Sequence, residues 1–369
     1  MRRKLAITQP YVPAYRYPLW DGVIQSLRGD GIDARVFFGG DEEQLAIRAR
    51  RGDGVEATWA ERVEARTVKI ADRLPKLMYR KLPAEWSEAT LLTEMQGSNG
   101  NAWSAMLRRR PFVTFGHGKE YTSGGGMLSA SLESSLNRHA QHVLTYLPSG
   151  RDEVLRRTGL SGHRVTSFNN STDTTSLRAA LANVREADVL SFREKHGIPA
   201  SACVALFLGA MNGHKRIDFL VASAREVFAR HPDSWLIAIG DGPQAELLRA
   251  LASDSGRVTM LGQSAPVDYA PAATIAKAIV NPGRIGLVAV DALAMQLPVL
   301  TADFDLHAPE AEYLVEGKTL FTSEATVRGF SELWSSFPEG RDADWGVGPT
   351  LEASVNTISS VLREVVGTT

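Results

Sequence analysis

The chain has 369 residues, with 41 lysines and arginines against 42 aspartates and glutamates, so its formal net charge is −1. This balance gives no electrostatic case for nucleic acid as the main partner, whereas a phosphate-bearing ligand needs only a local cluster of cations. The length predicts two domains. Cys203 is the only cysteine, which excludes an intrachain disulfide and a cysteine-based metal site and predicts a buried core residue.

The N-terminal segment MRRKLAI begins like the charged part of a signal peptide, but its apolar run stops at Ile7. Gln9 and Pro10 follow, so no export segment is predicted. Apolar runs elsewhere stay well short of the roughly 18 residues that span a bilayer. We therefore expect a cytoplasmic protein, with peripheral attachment at the inner face of the membrane left open.

Two basic segments bear on that attachment. Residues 73–83 interleave cations with apolar side chains, and Arg108 to Arg110 add three arginines. Such patches bind anionic lipid or a lipid-linked acceptor. A solvated helix face is the simpler interpretation of the first segment.

Apolar runs of strand length alternate with segments of helical period, which predicts parallel sheets covered by helices. The first set of strands is KLAIT, ARVFF, ATLLT, PFVTF, HVLTY and RVTSF, with helices in LWDGVIQSLRG and GGMLSASLESSLNRHA. The second set is CVALFLG, SWLIAIG, RVTMLG, KAIVNP and LPVLT, with amphipathic helices in RIDFLVASAREVFARH and QAELLRALAS. Two such sets predict two Rossmann-like halves, divided at NNSTDT, where turn-forming side chains replace apolar ones.

Ligands in open parallel sheets bind outside the carboxyl ends of the strands. In the first half this rule selects the segment after KLAIT, where Tyr15 and Arg16 are expected to face a ligand, and His117 and Lys119 after PFVTF. In the second half it selects residues 209–216, 240–243, 262–263, 282–286 and 301–310.

The segment NPGRIGLVAVDALAMQLPVLTADFDLHAPEAEYL, residues 281–314, is the most informative. A tight turn at Gly283 and Gly286 brings backbone N–H groups to the start of a helix, where partial positive charge favours a phosphate. Asp291 follows about one turn later and suits the hydroxyls of a ribose. Lys215 and Arg216 follow another glycine-containing turn before a helix, which places cations to neutralise a diphosphate leaving group.

Two Asp-x-Asp pairs occur, at Asp303 with Asp305 and at Asp342 with Asp344. Such a pair is a weak signal without several converging carboxylates, so no metal site is predicted. His307 and Glu310 lie in the loop after the strand LPVLT. Either ligand contact or loop closure would suit them.

Several short segments follow one another along the chain in a characteristic order: ITQPYVPAYRYPLW, FGHGK, FNNSTDT, FLGAMNGHKRIDFL, IAIGDGP, VTMLGQ and HAPEAEYL. Together with residues 281–314 they resemble, over nearly the whole chain, the retaining nucleotide-sugar glycosyltransferases of family 4, also called glycosyl transferases group 1. The resemblance implies an α/β, GT-B fold of two Rossmann-like domains with parallel sheets facing across a cleft. Residues 1–170 would be the acceptor side and 171–350 the donor side, with a C-terminal helix, about 351–369, packed back on the first domain.

The resemblance further implies transfer of a sugar from a nucleotide-diphosphate donor to an acceptor hydroxyl, with retention and without a metal or cofactor. The acceptor would be a sugar, a lipid-linked glycan or a small molecule. His117 would be the active-site histidine. The implied donor-phosphate and nucleotide residues are Lys215, Arg216, Gly283, Arg284, Ile285, Gly286, Leu287 and Asp291. Candidate cleft contacts are Tyr15, Arg16, Lys119, Gly262, His307 and Glu310.

The chain departs from the family at two positions. Ala210 stands where an arginine is common, and Gly283 stands where the first of two acids is expected, while Asp291 keeps the second. Sugar selectivity must then come from elsewhere, either from the backbone N–H groups of residues 284–287 or from the Arg284 side chain. Two other functions stay open: an epimerase or phosphorylase on the same fold, or a catalytically weakened sugar-nucleotide-binding partner subunit.

Overall fold

The computed structural model describes residues 3–41, 45–46, 56–69, 76–119, 127–337, 345 and 348–367. Two compact units make up the chain. Unit 1 comprises Met1–Asp173 with Pro349–Thr369, and unit 2 comprises Thr174–Gly348. The division lies close to the boundary predicted between residues 170 and 171.

Unit 1 is built on a parallel sheet of seven strands in the order β3-β2-β1-β6-β7-β8-β9, beside a separate antiparallel pair, β4-β5. Its strands are β1 (Arg3–Gln9), β2 (Ile32–Phe38), β3 (Ala60–Arg62), β4 (Ala65–Val68), β5 (Leu77–Arg80), β6 (Thr90–Glu94), β7 (Phe112–Gly116), β8 (His142–Thr145) and β9 (Val165–Ser167). The helices of this unit with bounds inside the described ranges include α1 (Tyr17–Gly29), α2 (Gly100–Leu107), α3 (Met127–His139) and α4 (Pro148–Thr158). Leu5, Ala6 and Ile7 of β1 are fully buried, as expected for a central strand covered on both faces.

Unit 2 is built on a parallel sheet of six strands in the order β12-β11-β10-β13-β14-β15. The strands are β10 (Cys203–Leu208), β11 (Ser234–Ile239), β12 (Val258–Gly262), β13 (Ala276–Val280), β14 (Val299–Ala302) and β15 (Leu320–Ser323). The helices are α5 (Thr175–Ala182), α6 (Glu186–His196), α7 (Ile217–Arg230), α8 (Ala245–Ser255), α9 (Pro266–Ile275), α10 (Val288–Met295) and α11 (Val327–Ser336). In α7 the buried side chains recur every three to four residues, which turns one stripe of the helix toward the sheet.

The last helix, α12 (Leu351–Gly367), belongs to unit 1 and packs against α1. Its apolar face joins the same buried cluster as Trp20 of α1. Gly22 lets the two helices approach closely, because a Cβ there would lie 2.9 Å from Cγ2 of Val355. The hydroxyl of Ser354 donates to the carbonyl of Asn169 at 2.8 Å and ties the start of α12 to the end of the first unit's α/β segment.

Each strand predicted above is present, and within the described part of the chain there are four further short ones, β3, β4, β5 and β15. Two predictions were wrong. Cys203 is half-buried rather than in the core, because it begins β10, a strand whose four middle residues are buried and whose two end residues are not. In the basic segment, residues 77–80 form strand β5 instead of a helix face, and residues 73–75 lie outside the described ranges.

Two arginines of the basic segments make contacts within the protein and are not free to bind a membrane surface. Arg80 is only 3% exposed and forms an ion pair with Glu94. Arg110 donates to the main-chain carbonyls of Ala89 and Trp86. Within the described ranges, no helix is both long and apolar enough to cross a membrane.

The packing of α12 predicts a measurable stability effect. Leu362 is fully buried, so Leu362→Ala is expected to lower the free energy of unfolding of unit 1 by about 2–5 kcal/mol, since it leaves a cavity. Urea unfolding followed by tryptophan fluorescence measures the change. Asn356→Ala, at an exposed position of the same helix, is the matched control. Equal effects of the two substitutions would contradict the packing described for α12.

Candidate functional site

In unit 2, two turns at the carboxyl ends of β10 and β13 touch through their main chains. A Cβ at Gly283 would lie 2.4 Å from the carbonyl oxygen of His214 and 2.6 Å from the carbonyl carbon of Lys215. The N–H of Arg284 donates to that His214 oxygen at 2.8 Å. Gly283 is therefore needed for the close approach itself, which gives a physical reason why no acidic side chain stands here.

Lys215 fastens the same two turns. Its Nζ donates to the carbonyl oxygen of Arg284 at 2.7 Å. Burial and, to a smaller extent, the nearby Arg284 together lower the pKa of Lys215 to about 8, while Asp291 acts in the opposite direction. The lysine is thus a poorly hydrated cation whose position is fixed before any ligand arrives.

Asp291 lies in the first turn of α10 and shares the environment of Lys215. Burial raises its pKa to about 7, against the opposing effect of Lys215. The charge of Asp291 in turn helps to raise the pKa of Tyr269, to about 12, although burial is the larger cause. An acid and a base that are both desolvated form a polar centre at the start of α10, where the helix dipole favours an anion.

His307 binds the glycine turn from the loop after β14. The N–H of Ile285 donates to its Nδ1 at 3.1 Å, so a neutral His307 carries its proton on Nε2. Burial lowers the pKa of His307, and the charges of Lys215 and Arg284 lower it further. The N–H of Ala308 donates to the carbonyl of Ile285 at 2.7 Å, which makes a second tie between this loop and the turn.

The remaining residues predicted for this site have distinct positions. Arg216 has a left-handed main chain, stacks its guanidinium 4.1 Å from the Phe219 ring centroid and donates to the Pro282 carbonyl at 3.5 Å. Ile285 is fully buried, whereas Gly286 and Leu287 are half-buried just before α10. Gly262 ends β12 and accepts from the N–H of Gly240, and Glu310 is buried in a short 3-10 helix, Pro309–Tyr313.

Two polar side chains near these loops were not predicted from the sequence. Asn281, just after β13, and Gln244, just before α8, each have a buried side-chain oxygen with no hydrogen-bond partner among the described residues. Leaving such an acceptor unpaired costs about 1–3 kcal/mol. A polar ligand would remove that cost. For Asn281 the position at a strand's carboxyl end was the available signal.

Unit 1 holds the predicted histidine in a similar way. His117 follows β7, and its carbonyl oxygen would lie 2.0 Å from a Cβ on Gly150. Gly118 has a φ of 73° and would clash with the Gly150 carbonyl if it had a side chain. The His117 ring meets the Tyr146 ring edge to face, with centroids 4.7 Å apart. The loop is thus fixed by main-chain contacts and the ring by an aromatic neighbour.

Arg16 and Tyr15, predicted as a pair of ligand contacts, differ in exposure. The Arg16 guanidinium lies 4.7 Å from the centroid of Tyr146 and is 7% exposed as a residue. Tyr15 is 45% exposed. Arg16 therefore packs against the Tyr146 ring, which also contacts His117, while Tyr15 is at the surface.

A cavity of about 280 Å³ opens beside His117 within unit 1. Its lining includes Glu94, Gln96, Lys119, Glu133, Tyr146 and Arg157. Burial raises the pKa of Glu94 to about 7, against the charges of Arg80 and Arg16. Glu94 and Gln96 were missed in the sequence, although they follow ATLLT and the rule of strand carboxyl ends points to them.

Among the described residues, histidine, cysteine, aspartate and glutamate side chains form no group of three or more that could hold a metal ion. Asp303 and Asp305 are exposed, and Asp342 and Asp344 lie outside the described ranges.

Comparison with known proteins gives relatives for the second unit. Residues 202–333 match the family model described as glycosyl transferases group 1. A D-inositol 3-phosphate glycosyltransferase from Acidothermus cellulolyticus is 31% identical over 133 residues, which is 32% of this chain and 30% of the relative. Alpha-D-kanosaminyltransferase from Streptomyces kanamyceticus is 26% identical over 172 residues, 45% of this chain and 43% of the relative. The matches thus span less than half of each relative's length.

Solved structures are similar over the whole chain. Sucrose-phosphate synthase from Thermosynechococcus elongatus has a TM-score of 0.62 at 16% identity, with 100% of both chains covered. Anabaena HepE in complex with UDP and glucose has a TM-score of 0.58 at 15% identity, also with 100% of both chains covered. UDP-GlcNAc 2-epimerase from Methanocaldococcus jannaschii has a TM-score of 0.58 at 11% identity, covering 98% of this chain and 99% of the epimerase. At such identities the likeness concerns the fold alone.

The structural neighbours and the family match agree with the resemblance of the sequence to glycosyl transferases group 1. The two parallel sheets match the architecture of the neighbours, and the family match falls on the unit that carries Lys215, Gly283 and Asp291. The chain has the GT-B fold, and residues 202–333 in its second unit match the glycosyl transferases group 1 family.

Proposed function

We propose that this protein transfers a sugar from a nucleotide-diphosphate donor to an acceptor hydroxyl, with retention at the anomeric carbon and without an obligatory metal. The observation that carries the proposal is Lys215, a desolvated cation fixed against the glycine turn at the start of α10, with Asp291 beside it. The family match and the glycosyltransferases among the relatives support it.

The donor chemistry follows from charge. As the bond between the anomeric carbon and the phosphate oxygen breaks, negative charge grows on that phosphate. Lys215 and the N-terminus of α10 stabilise it without rearrangement, since both are already in place. A new bond forms from the anomeric carbon to the acceptor oxygen, and the acceptor's proton passes to the leaving phosphate. Asp291 accepts hydrogen bonds from the ribose.

Selectivity for the donor sugar falls to a small set of groups. The N–H groups of Arg284 and Ile285 already donate to His214 and His307. Of the alternatives left by the sequence, this favours the Arg284 side chain and the N–H groups of Gly286 and Leu287. We propose that these groups bind the hydroxyls of the donor sugar, in place of an acidic side chain at residue 283.

In unit 1, His117 is proposed to contact the donor sugar near the reacting carbon. Main-chain packing at Gly118 and Gly150 sets its position, and Tyr146 sets its ring. Peripheral membrane contact is a further part of the proposal. Among the described residues of the two basic segments, the exposed cations are Lys76, Lys81, Arg108 and Arg109. Leu107, which precedes Arg108, is 78% exposed.

A nucleotide screen tests the proposal. We expect one of UDP, GDP, ADP and TDP to raise the melting temperature of the protein, and Lys215→Met to abolish the shift because the phosphate loses its cation. Product analysis with the matching sugar nucleotide then separates the functions: an epimerase needs no acceptor and a phosphorylase needs free phosphate. Failure to bind or hydrolyse any sugar nucleotide would sink the proposal.

The pKa of Lys215 predicts how nucleotide binding depends on pH. Phosphate binding needs the protonated lysine, and a pKa of about 8 means that the charge is lost as pH rises through that value. Affinity measured by calorimetry should fall about tenfold between about pH 7 and about pH 9. Lys215→Arg is the matched control, since its guanidinium stays charged over that range. Parallel slopes for the two proteins would contradict the role of Lys215.

Replacement of His117 tests the other unit. His117→Ala is expected to lower the rate of sugar transfer by at least about 100-fold, because a group beside the reacting carbon is lost. Nucleotide affinity and melting temperature should stay unchanged, since no main-chain contact of the loop is removed. His163→Ala, at an exposed histidine of the same unit, controls for the substitution. A near-normal rate in His117→Ala refutes the assignment.

A further inference from the structure

The cavity of unit 1 is built from the carboxyl ends of β6 and β7 and from one face of α3. Its volume of about 280 Å³ lies just below the range of about 300–1,000 Å³ typical of pockets for drug-sized ligands. It therefore suits a ligand of about one ring. Since His117 is part of the lining, such a ring would lie directly beside it.

One wall of the cavity is a carboxylate that the protein holds in place. Glu94 ends β6, and its Oε2 lies 3.4 Å from Nη2 of Arg80. Arg80 is itself fixed: its Nε donates to the Gly39 carbonyl at 2.7 Å, and the Asn101 side chain bonds to both its N–H and its carbonyl at 2.8 Å. The Arg80 side chain is 4% exposed but that of Glu94 is 19% exposed. The pair thus presents its acid to the cavity and its base to the interior.

The other walls limit the chemistry of the ligand. Lys119 and Arg157 add two cations and Glu133 adds a second acid, so the charges of the lining balance. Arg157 also donates to Glu153 on its own helix, α4, which engages part of its charge. Met95, Phe115 and Tyr146 supply apolar surface. A polar lining with balanced charges and an apolar face suits a neutral ring that carries hydroxyls. An anionic ligand would instead face the carboxylates of Glu94 and Glu133.

We propose that this cavity is the acceptor pocket, that it takes one neutral polyol ring, a monosaccharide or cyclitol, and that Glu94 determines acceptor specificity by accepting hydrogen bonds from ring hydroxyls. Arg80 is the positioning residue that holds the carboxylate. The inference rests on the proposed function, since it names the acceptor class for the same transfer.

The test is direct binding of small polyols to the full chain. Saturation-transfer NMR with glucose, mannose, N-acetylglucosamine and myo-inositol should detect at least one neutral ligand, with myo-inositol 3-phosphate as the charged comparison. Ala130→Leu fills the cavity from α3 and should abolish that binding. Ser131→Leu, at the exposed neighbouring position, is the matched control and should bind like the wild type.

Glu94→Gln keeps the size of the side chain and removes its charge. It should weaken the polyol at least about tenfold, as loss of a charged hydrogen-bond partner does. In transfer assays it should raise the KM for the acceptor while donor hydrolysis stays unchanged, a split that general structural damage would not produce. Circular dichroism melting checks that both variants fold, and a misfolded Glu94→Gln leaves Ala130→Leu as the deciding variant.

The outcomes separate this inference from the proposed function. Polyol binding that survives both Ala130→Leu and Glu94→Gln overturns the inference, as does binding of the phosphorylated ligand alone or of no polyol at all. Failure of every nucleotide to bind refutes the proposed function instead, because the polyol measurement needs no nucleotide.

Discussion

The candidate donor site depends on one contact, the approach of the Gly283 turn to the main chain of His214 and Lys215. With the turns this close, Lys215 reaches the Arg284 carbonyl and lies near enough to Asp291 for their charges to interact. A side chain at residue 283 would force the turns apart, since its Cβ would be 2.4 Å from a carbonyl oxygen. The missing acid is therefore a consequence of this packing, and the packing also places the cation.

The same contact explains the unusual charges of the site. The pKa of Lys215 falls from 10.5 to about 8 and that of Asp291 rises from 3.8 to about 7, so burial disfavours the charged form of each. Between about pH 8 and pH 10.5, Lys215 binds more protons in the unfolded chain than in the folded one. Its contribution to the free energy of unfolding therefore grows as pH rises from about 8. For Asp291 the folded chain binds more protons, so its contribution falls as pH rises from 3.8 toward 7. Near neutrality the site holds charges that burial makes unfavourable, and a bound phosphate would relieve that of Lys215.

The sequence predicted the parts of the fold whose signal is local. Central strands are apolar runs, so they were found, whereas the short edge strands β3 and β15 are largely half-buried or exposed and carry no such run. The basic segment containing Arg80 was interpreted as a helix face because its burial depends on Gly39 and Asn101, neither adjacent in the chain. Lys215 was identified from its turn, but its hydrogen bond to Arg284 spans 69 positions and its pKa depends on that proximity.

Both units place a candidate functional side chain by the same means. Lys215 and His117 each contribute the main-chain atoms that contact a glycine, Gly283 in one case and Gly150 in the other. The backbone of each residue is thus held by main-chain contact, while the Arg284 carbonyl fixes the tip of Lys215 and the Tyr146 ring fixes that of His117. Such a main-chain contact requires only that the partner residue lack a Cβ. The side chains of His117 and Lys215 can therefore be replaced without removing the main-chain contacts that hold their backbones. Glu94 is the opposite case, since its carboxylate is placed by a buried guanidinium, and its chemistry and its position change together.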